Sequence, residues 1–324
     1  MRIKSGPCLW SDKPYYSLDH YFKSVYGKKI YKTALNAGMT CPVRDGSLDT
    51  RGCIFCSEGG SGDFAAGCPS GIADAAEIKK QLAAGREFIK SKYNGDSFLA
   101  YLQAYTNTYA PVDKLAEIYE AALTDPHTIG LSIATRPDCL PPDVIKLLKE
   151  LKEKYPEKCI WVELGLQTIH KNSINYIRRG YDNSVFEMAV HDLEDAGIPV
   201  IVHVILGLPD ETKDMMLQTI EYLNTFSIFG IKLQLLHVLN GTDLAADYQD
   251  RKFDLPGKEE YTDIVVSCIE HLSPDIVVHR ITGDGPKDLL IAPLWSADKK
   301  SVLNGIHAEM KRRGSYQGIH YTIE

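Results

Sequence analysis

The 324-residue sequence has no long apolar run. Its most hydrophobic stretch, Ile198 to Pro209, is too short to span a bilayer and carries His203. The N-terminus, Met1-Arg2-Ile3-Lys4-Ser5-Gly6-Pro7, lacks the apolar core of a signal peptide. There is no internal repeat and no low-complexity tract. Excess positive charge is also missing: the net charge is −7 at pH 7, so bulk electrostatics do not mark a nucleic-acid binder. These absences lead to the expectation of a cytoplasmic protein with no membrane partner. Eight cysteines without a secretory leader then point to metal binding, catalysis or burial, not to a disulfide framework.

The charge that is present is unevenly placed. Residues 1–32 hold seven Lys/Arg against two acids, interleaved with Tyr15, Tyr16, Tyr21, Phe22, Tyr26 and Tyr31. The C-terminus adds Lys299, Lys300, Lys311, Arg312 and Arg313. Basic side chains neutralise phosphates and aromatics stack on bases, so both ends are candidate RNA contacts. The competing reading is a solvated basic surface on a packed terminal segment.

From about residue 28 the chain alternates β-rich runs with amphipathic helices. Lys29–Asn36, Phe98–Tyr105, Ile129–Ala134, Ile160–Leu166, Val200–Leu206, Ile231–Leu236 and Ile276–Ile281 read as strands. Between them, helices are expected over Ile72–Tyr93, after Pro111, after Pro141-Pro142, over Val185–Ala196, over Glu211–Leu223 and near Glu259–Leu272. A last helix is expected over Ser296–Arg312. Six strand–helix–strand repeats imply parallel strands joined by crossovers, as an open sheet or a partial barrel. Both place chemistry at the C-terminal ends of strands. Residues 1–28 are expected as an extension packed on a single domain spanning 29–324.

The loop after the first strand carries Cys41, Cys53 and Cys56 in a C-x11-C-x2-C arrangement. Three thiolates would leave one iron of a [4Fe–4S] cluster without a protein ligand. Cys68 follows after eleven more residues, and four thiolates equally suit a closed zinc site. The place of the loop, at the C-terminal end of a first parallel strand, favours the cluster. Cys8, Cys139, Cys159 and Cys268 read as buried, unligated cysteines.

Further stretches follow in a set order: Gly60-Ser-Gly-Asp-Phe-Ala65, Gln103-Ala-Tyr-Thr-Asn-Thr-Tyr-Ala-Pro111, Ser132-Ile-Ala-Thr-Arg-Pro-Asp138, Glu163-Leu-Gly-Leu-Gln-Thr168, Arg179-Gly180 and Gly207-Leu-Pro-Asp-Glu211. With the cysteine loop, they resemble the radical S-adenosylmethionine (SAM) superfamily, and within it the YtqA/YhcC-like (MnmL-type) family. That family is similar to the radical SAM core of the eukaryotic elongator catalytic subunit. The resemblance runs from about Tyr15 to Tyr321. It implies an α/β fold, a partial (β/α)6 TIM-like barrel with an N-terminal extension and a C-terminal helix. It implies a [4Fe–4S] cluster on Cys41, Cys53 and Cys56, with SAM bound at the open iron.

The resemblance also assigns candidate SAM contacts. Phe55, between the paired cysteines, would face the adenine. Thr106 or Asn107 would hold the SAM amino group, because the Gly-Gly-Glu motif usual at the second strand end is missing. Glu163 and Gln167 are expected on one face of the fourth strand. Arg179 is the expected partner of the SAM carboxylate, although Arg178-Arg179 also reads as an exposed helix end. Gly207 and Leu208 would approach the adenine. Arg136, His203, His237, His279 and Arg280 are expected inside the strand array, where a lone histidine is more often a satisfied core residue than a catalyst.

The kinship suggests wobble-uridine chemistry on tRNA, converting 5-carboxymethylaminomethyl-2-thiouridine to its 5-aminomethyl form. A flavodoxin or ferredoxin would supply electrons. The alternatives are a radical SAM enzyme acting on a small molecule or peptide, and a non-enzymatic protein with a four-cysteine zinc site.

Overall fold

A computed structural model describes residues 10–60, 65, 68, 71–92, 97–283 and 285–322. Cys8 and most of the Gly60–Ala65 stretch lie outside them. The strands are β1 (Tyr31–Leu35), β2 (Phe98–Leu102), β3 (Thr128–Thr135), β4 (Cys159–Gln167), β5 (Val200–Leu206), β6 (Gly230–Leu235), β7 (Val238–Leu239), β8 (Val277–Arg280) and β9 (Leu290–Ala292). Seven of them form one sheet in the order β1-β2-β3-β4-β5-β6-β8, so six crossovers join neighbours in chain order. The antiparallel pair β7–β9, of two and three residues, lies outside that repeat and was not expected. Two further short helices were also not expected, Lys171–Tyr176 and Asp243–Gln249. No helix among the described residues is long and apolar enough to cross a membrane.

The chain divides into two compact units, one of residues 28–165 and 180–201, the other of residues 1–27, 166–179 and 202–324. In the first, β1 to β4 run parallel, with Leu35 opposite Leu102 and Ala134 opposite Glu163, and the β2–β3 register shifts once, between Phe98 and Leu99. Every side chain of β2 is buried, as a strand covered on both faces requires. The helix Pro142–Lys154 starts on a proline at its first position, buries Val144, Leu147, Leu148 and Leu151, and ends with Lys152 and Lys154. The helix Asn183–Asp195 stops where expected, since Gly197 takes a positive φ of 67° and Ile198 N–H donates to Leu193 O at 2.8 Å. The helix Ala75–Lys92 packs so tightly on β1 that a Cβ on Gly85 would sit 2.2 Å from Thr33 Cγ2.

In the second unit, β6 and β8 pair in parallel. The edge of β8 is closed by both ends of the chain. Val278 N–H donates to Tyr16 O at 2.7 Å. Gln317, 1% exposed, donates through Nε2 to Ser273 O and Ile276 O at 2.7 and 2.8 Å. Its Oε1 accepts Tyr16 N–H at 2.8 Å. Covering a sheet edge in this way removes a template for unwanted strand pairing. The N-terminal segment includes a helix, Leu18–Tyr26, capped by Ser17. It buries Tyr15 and Phe22, so these two aromatics are core residues, not stacking platforms. Arg313 contacts Asp263, Glu270 and Glu309, and Arg312 pairs with Glu309 at 2.7 Å. Two of the basic C-terminal residues are therefore internal ion-pair partners.

Candidate active site

In the first unit the chain leaves β1 into a loop anchored by Gln81. Its amide accepts Asn36 N–H and donates to Asn36 O, both at 2.9 Å. Cys41 then opens a turn, its carbonyl accepting Arg44 N–H at 2.9 Å. The eleven-residue excursion folds on itself through Leu48 N–H to Pro42 O at 2.8 Å and Gly52 N–H to Val43 O at 2.7 Å. Cys56 N–H donates to Cys53 O at 3.0 Å, the tight turn expected of a C-x2-C pair. Phe55, between them, is half-buried.

The three thiols are close enough to feel one another. Burial pushes the Cys53 thiol up to about 12, and a neighbouring Cys56 thiolate adds to the shift. Burial also raises Cys41, opposed by a contact with Thr106 Oγ1 at 2.9 Å. Cys68 Sγ instead donates to Gly71 O at 3.1 Å. Among the described residues, no three His, Cys, Asp or Glu side chains converge as ligands of a single metal ion. A zinc site with Zn–S bonds of about 2.3 Å needs such convergence. Cluster ligands sit on different irons and stand further apart. The donor set of Cys41, Cys53 and Cys56 fits the cluster.

Thr106 and Asn107 follow β2, past a turn in which Tyr105 takes a φ of 61°. β2 itself ends at Leu102, three residues before the expected limit. Asn107 is fully buried. Its Nδ2 donates to Leu102 O and Ala134 O at 3.2 and 2.9 Å, its carbonyl accepts Tyr119 OH at 2.5 Å, and its Oδ1 has no partner. A buried amide oxygen in that state costs about 1–3 kcal/mol unless a donor arrives. Glu163, 1% exposed, accepts Lys32 Nζ at 3.2 Å and Ser132 Oγ at 2.7 Å, so it is tied to β1 and β3. Lys32 Nζ also lies 5.0 Å from the Tyr101 ring. Arg136 forms a two-pronged pair with Asp138 at 2.9 and 2.7 Å and lies against the Tyr181 ring.

The second unit carries the other candidates. Gln167 closes β4 with a φ of 67°, and its buried Oε1 has no partner. Arg179 is 1% exposed, and its Nη1 donates to Leu166 O and Thr168 O at 2.7 and 2.8 Å. It clasps the turn after β4, which corrects the reading of an exposed helix end. Gly207 takes a φ of 84° after β5, with Pro256 3.1 Å from where a Cβ would stand, and Leu208 is buried.

Glu211 was not singled out as a site residue. It accepts Thr168 Oγ1 at 2.5 Å, and burial raises its carboxyl above the ordinary range. Its signal was the Gly207–Glu211 stretch, read only for Gly207 and Leu208. His203 meets Gln234 Nε2 at 3.1 Å, His237 meets Ser296 Oγ at 3.1 Å, and His279 packs edge-on against Phe229. Arg280 ends β8, half-buried.

The radical SAM superfamily model matches residues 50–223, and the radical SAM C-terminal domain model matches residues 228–312. The uncharacterized protein YtqA of Bacillus subtilis (strain 168) is 41% identical over 319 residues, covering 98% of this chain and 96% of that protein. Protein YhcC of Escherichia coli (strain K12) is 35% identical over 274 residues, 85% of each chain. In fold, the chain is similar to the archaeal Elp3 of Methanocaldococcus infernus, with a TM-score of 0.63 at 16% identity, covering 89% of this chain and 64% of that one. The expected fold class is therefore the one found, and the chain belongs to the radical SAM superfamily.

Proposed function

We propose that the protein holds a [4Fe–4S] cluster through Cys41, Cys53 and Cys56 and uses it with SAM to modify wobble uridine in tRNA. The observation that carries the cofactor reading is the placing of three cysteines on the one loop after β1, Cys53 and Cys56 on a tight turn and Cys41 against Thr106, in a chain of this superfamily. When bound, the reduced cluster and SAM supply methionine and a 5′-deoxyadenosyl radical that takes a hydrogen atom from substrate.

The chain's own residues bind, orient and exclude water. Thr106 supports Cys41 through their 2.9 Å contact. In the first unit, Asn107 Oδ1 is a buried acceptor without a partner, the atom type that an ammonium group needs, and Phe55 offers an apolar surface suited to an adenine. In the second unit, Gln167 Oε1 is likewise a buried acceptor without a partner, and Gly207 leaves its backbone open to close approach. Arg179 holds the turn after β4, which makes it a positioning residue in this reading. Glu163 keeps its place as a polar group through Lys32 and Ser132.

The proposed conversion is 5-carboxymethylaminomethyl-2-thiouridine to 5-aminomethyl-2-thiouridine. Balanced, one water is added and the carboxymethyl unit leaves as glyoxylate. One hydrogen atom goes to the deoxyadenosyl group, one further electron passes to an oxidised electron carrier, and one proton goes to water. A flavodoxin or ferredoxin is the proposed electron carrier. Incubating the reconstituted protein with SAM, reductant and tRNA should deplete the carboxymethylaminomethyl nucleoside by mass spectrometry. An unchanged nucleoside profile would reject the tRNA reading.

A small molecule or peptide substrate is the second reading. It is favoured by the burial of Tyr15 and Phe22 and by the internal pairing of Arg312 and Arg313, which weaken the case for RNA-contacting ends. A filter-binding titration separates the two, because phosphate contacts make affinity fall steeply with salt.

A further inference from the structure

We propose that Arg44 is a positioning residue for the cluster, closing the eleven-residue excursion between Cys41 and Cys53 and placing a fixed positive charge beside the bound iron. The inference rests on the cluster reading above and goes beyond it to a residue outside the ligand set.

Three parts of the loop meet at this side chain. Arg44 N–H donates to Cys41 O at 2.9 Å, at the start of the excursion. Its Nη2 donates to Cys56 O at 3.0 Å and to Ser57 O at 2.6 Å, at the end of the motif. Between them the side chain passes over Gly52, which has a φ of 74°. A Cβ there would come within 3.0 Å of Nε and 3.3 Å of Cγ and Cζ. The guanidinium also lies 5.6 Å from the centre of the Tyr105 ring, whose hydroxyl donates to Glu58 O. A loop of this length loses chain entropy when its ends are brought together, and one rigid fork joining first ligand to last offsets that loss.

The charge has its own consequence. A guanidinium is charged at any ordinary pH, and that of Arg44 is held on the Cys56 and Ser57 carbonyls. Cluster potentials depend on net charge and on hydrogen bonding and exposure around the sulfurs. A fixed cation therefore favours the reduced, more negative form. Arg51, on the same excursion, is an internal control, being mostly exposed and paired with Asp49 at 2.8 Å.

The test uses the full chain, reconstituted anaerobically with iron and sulfide, as wild type, R44M, R44K and R51M. Two readouts are taken: the midpoint potential by EPR-monitored titration, and the half-life of iron release to a chelator. R44M is expected to lower the one-electron reduction equilibrium by about tenfold, ~59 mV, and to release iron faster. R44K keeps the charge and should restore the potential while still releasing iron faster than wild type. R51M should match wild type in both.

Equal potential and equal iron release in R44M and wild type would overturn the proposal, as would an R51M shift as large as that of R44M. Should R44M not fold by far-UV circular dichroism, R44K decides, and wild-type iron retention in it would overturn the positioning role. A wild-type chain that takes up no cluster would instead reject the reading on which this one rests.

Discussion

At the edge of β8, polar groups that looked available in the sequence are tied up inside the chain. Gln317 serves two carbonyls and one N–H, and Arg313 meets three carboxylates. Around the cysteine loop the balance is reversed. Cys53 is half-buried, with desolvation pushing its thiol up to about 12, and Asn107 Oδ1 is buried without a partner. The first region meets its charges within the chain, although the buried Ser315 Oγ there has no hydrogen-bond partner. The second keeps a buried amide oxygen open one residue from Thr106, which meets Cys41. The lesson is that a cluster of charge in a sequence is weak evidence for binding, and that an unpartnered buried polar atom carries weight only beside donors of the right chemistry.

The comparison breaks first, and with the largest effect, at the ligands. Cys53→Ala should abolish iron uptake and formation of 5′-deoxyadenosine, read by absorbance and chromatography, while leaving the urea midpoint of the apo-protein nearly unchanged. The opposite pattern is expected at the β8 edge. Gln317→Ala should cost about 2–4 kcal/mol of folding stability, because buried groups lose their partners. In that variant the cluster content per folded chain should be unaltered.

An intermediate effect is expected at Lys32. Lys32→Met removes an ion pair to a carboxylate that is 1% exposed. Its cost, read by urea denaturation, should be about 1–3 kcal/mol, because the lysine is itself only partly desolvated. Glu163→Gln, which retains an acceptor for Ser132, should cost less.

The smallest effect concerns Glu211. Burial raises its carboxyl in the folded state, so the folded chain binds the proton more tightly than the unfolded one. Its contribution to stability is present at acid pH and falls as pH rises from the unfolded value through the folded one. Glu211→Gln should flatten that slope in urea titrations as pH rises above the ordinary carboxyl value of 4.5. An unchanged slope would remove Glu211 as its source.

Much of this was legible in the sequence. The apolar runs of β3, β4 and β5 mark buried parallel strands, and the cysteine spacing marked the loop. What was hidden depends on backbone angles or long reaches. Gln167 closes β4 at a φ of 67°, a backbone angle that no local pattern announces. Arg178-Arg179 reads as a charged helix end, yet Arg179 turns inward onto carbonyls. Arg44 reaches twelve residues along the chain to Cys56, and Gln317 joins segments about three hundred residues apart; no local pattern encodes either. The pair β7–β9 is too short to carry a period.

The most direct test of the account is iron and sulfide analysis of the anaerobically reconstituted chain beside Cys53→Ala and Cys68→Ala. The account predicts a brown wild type with about four irons per chain, the same in Cys68→Ala, and a colourless Cys53→Ala. A colourless wild type, or a Cys68→Ala variant that loses its metal along with Cys53→Ala, would contradict it.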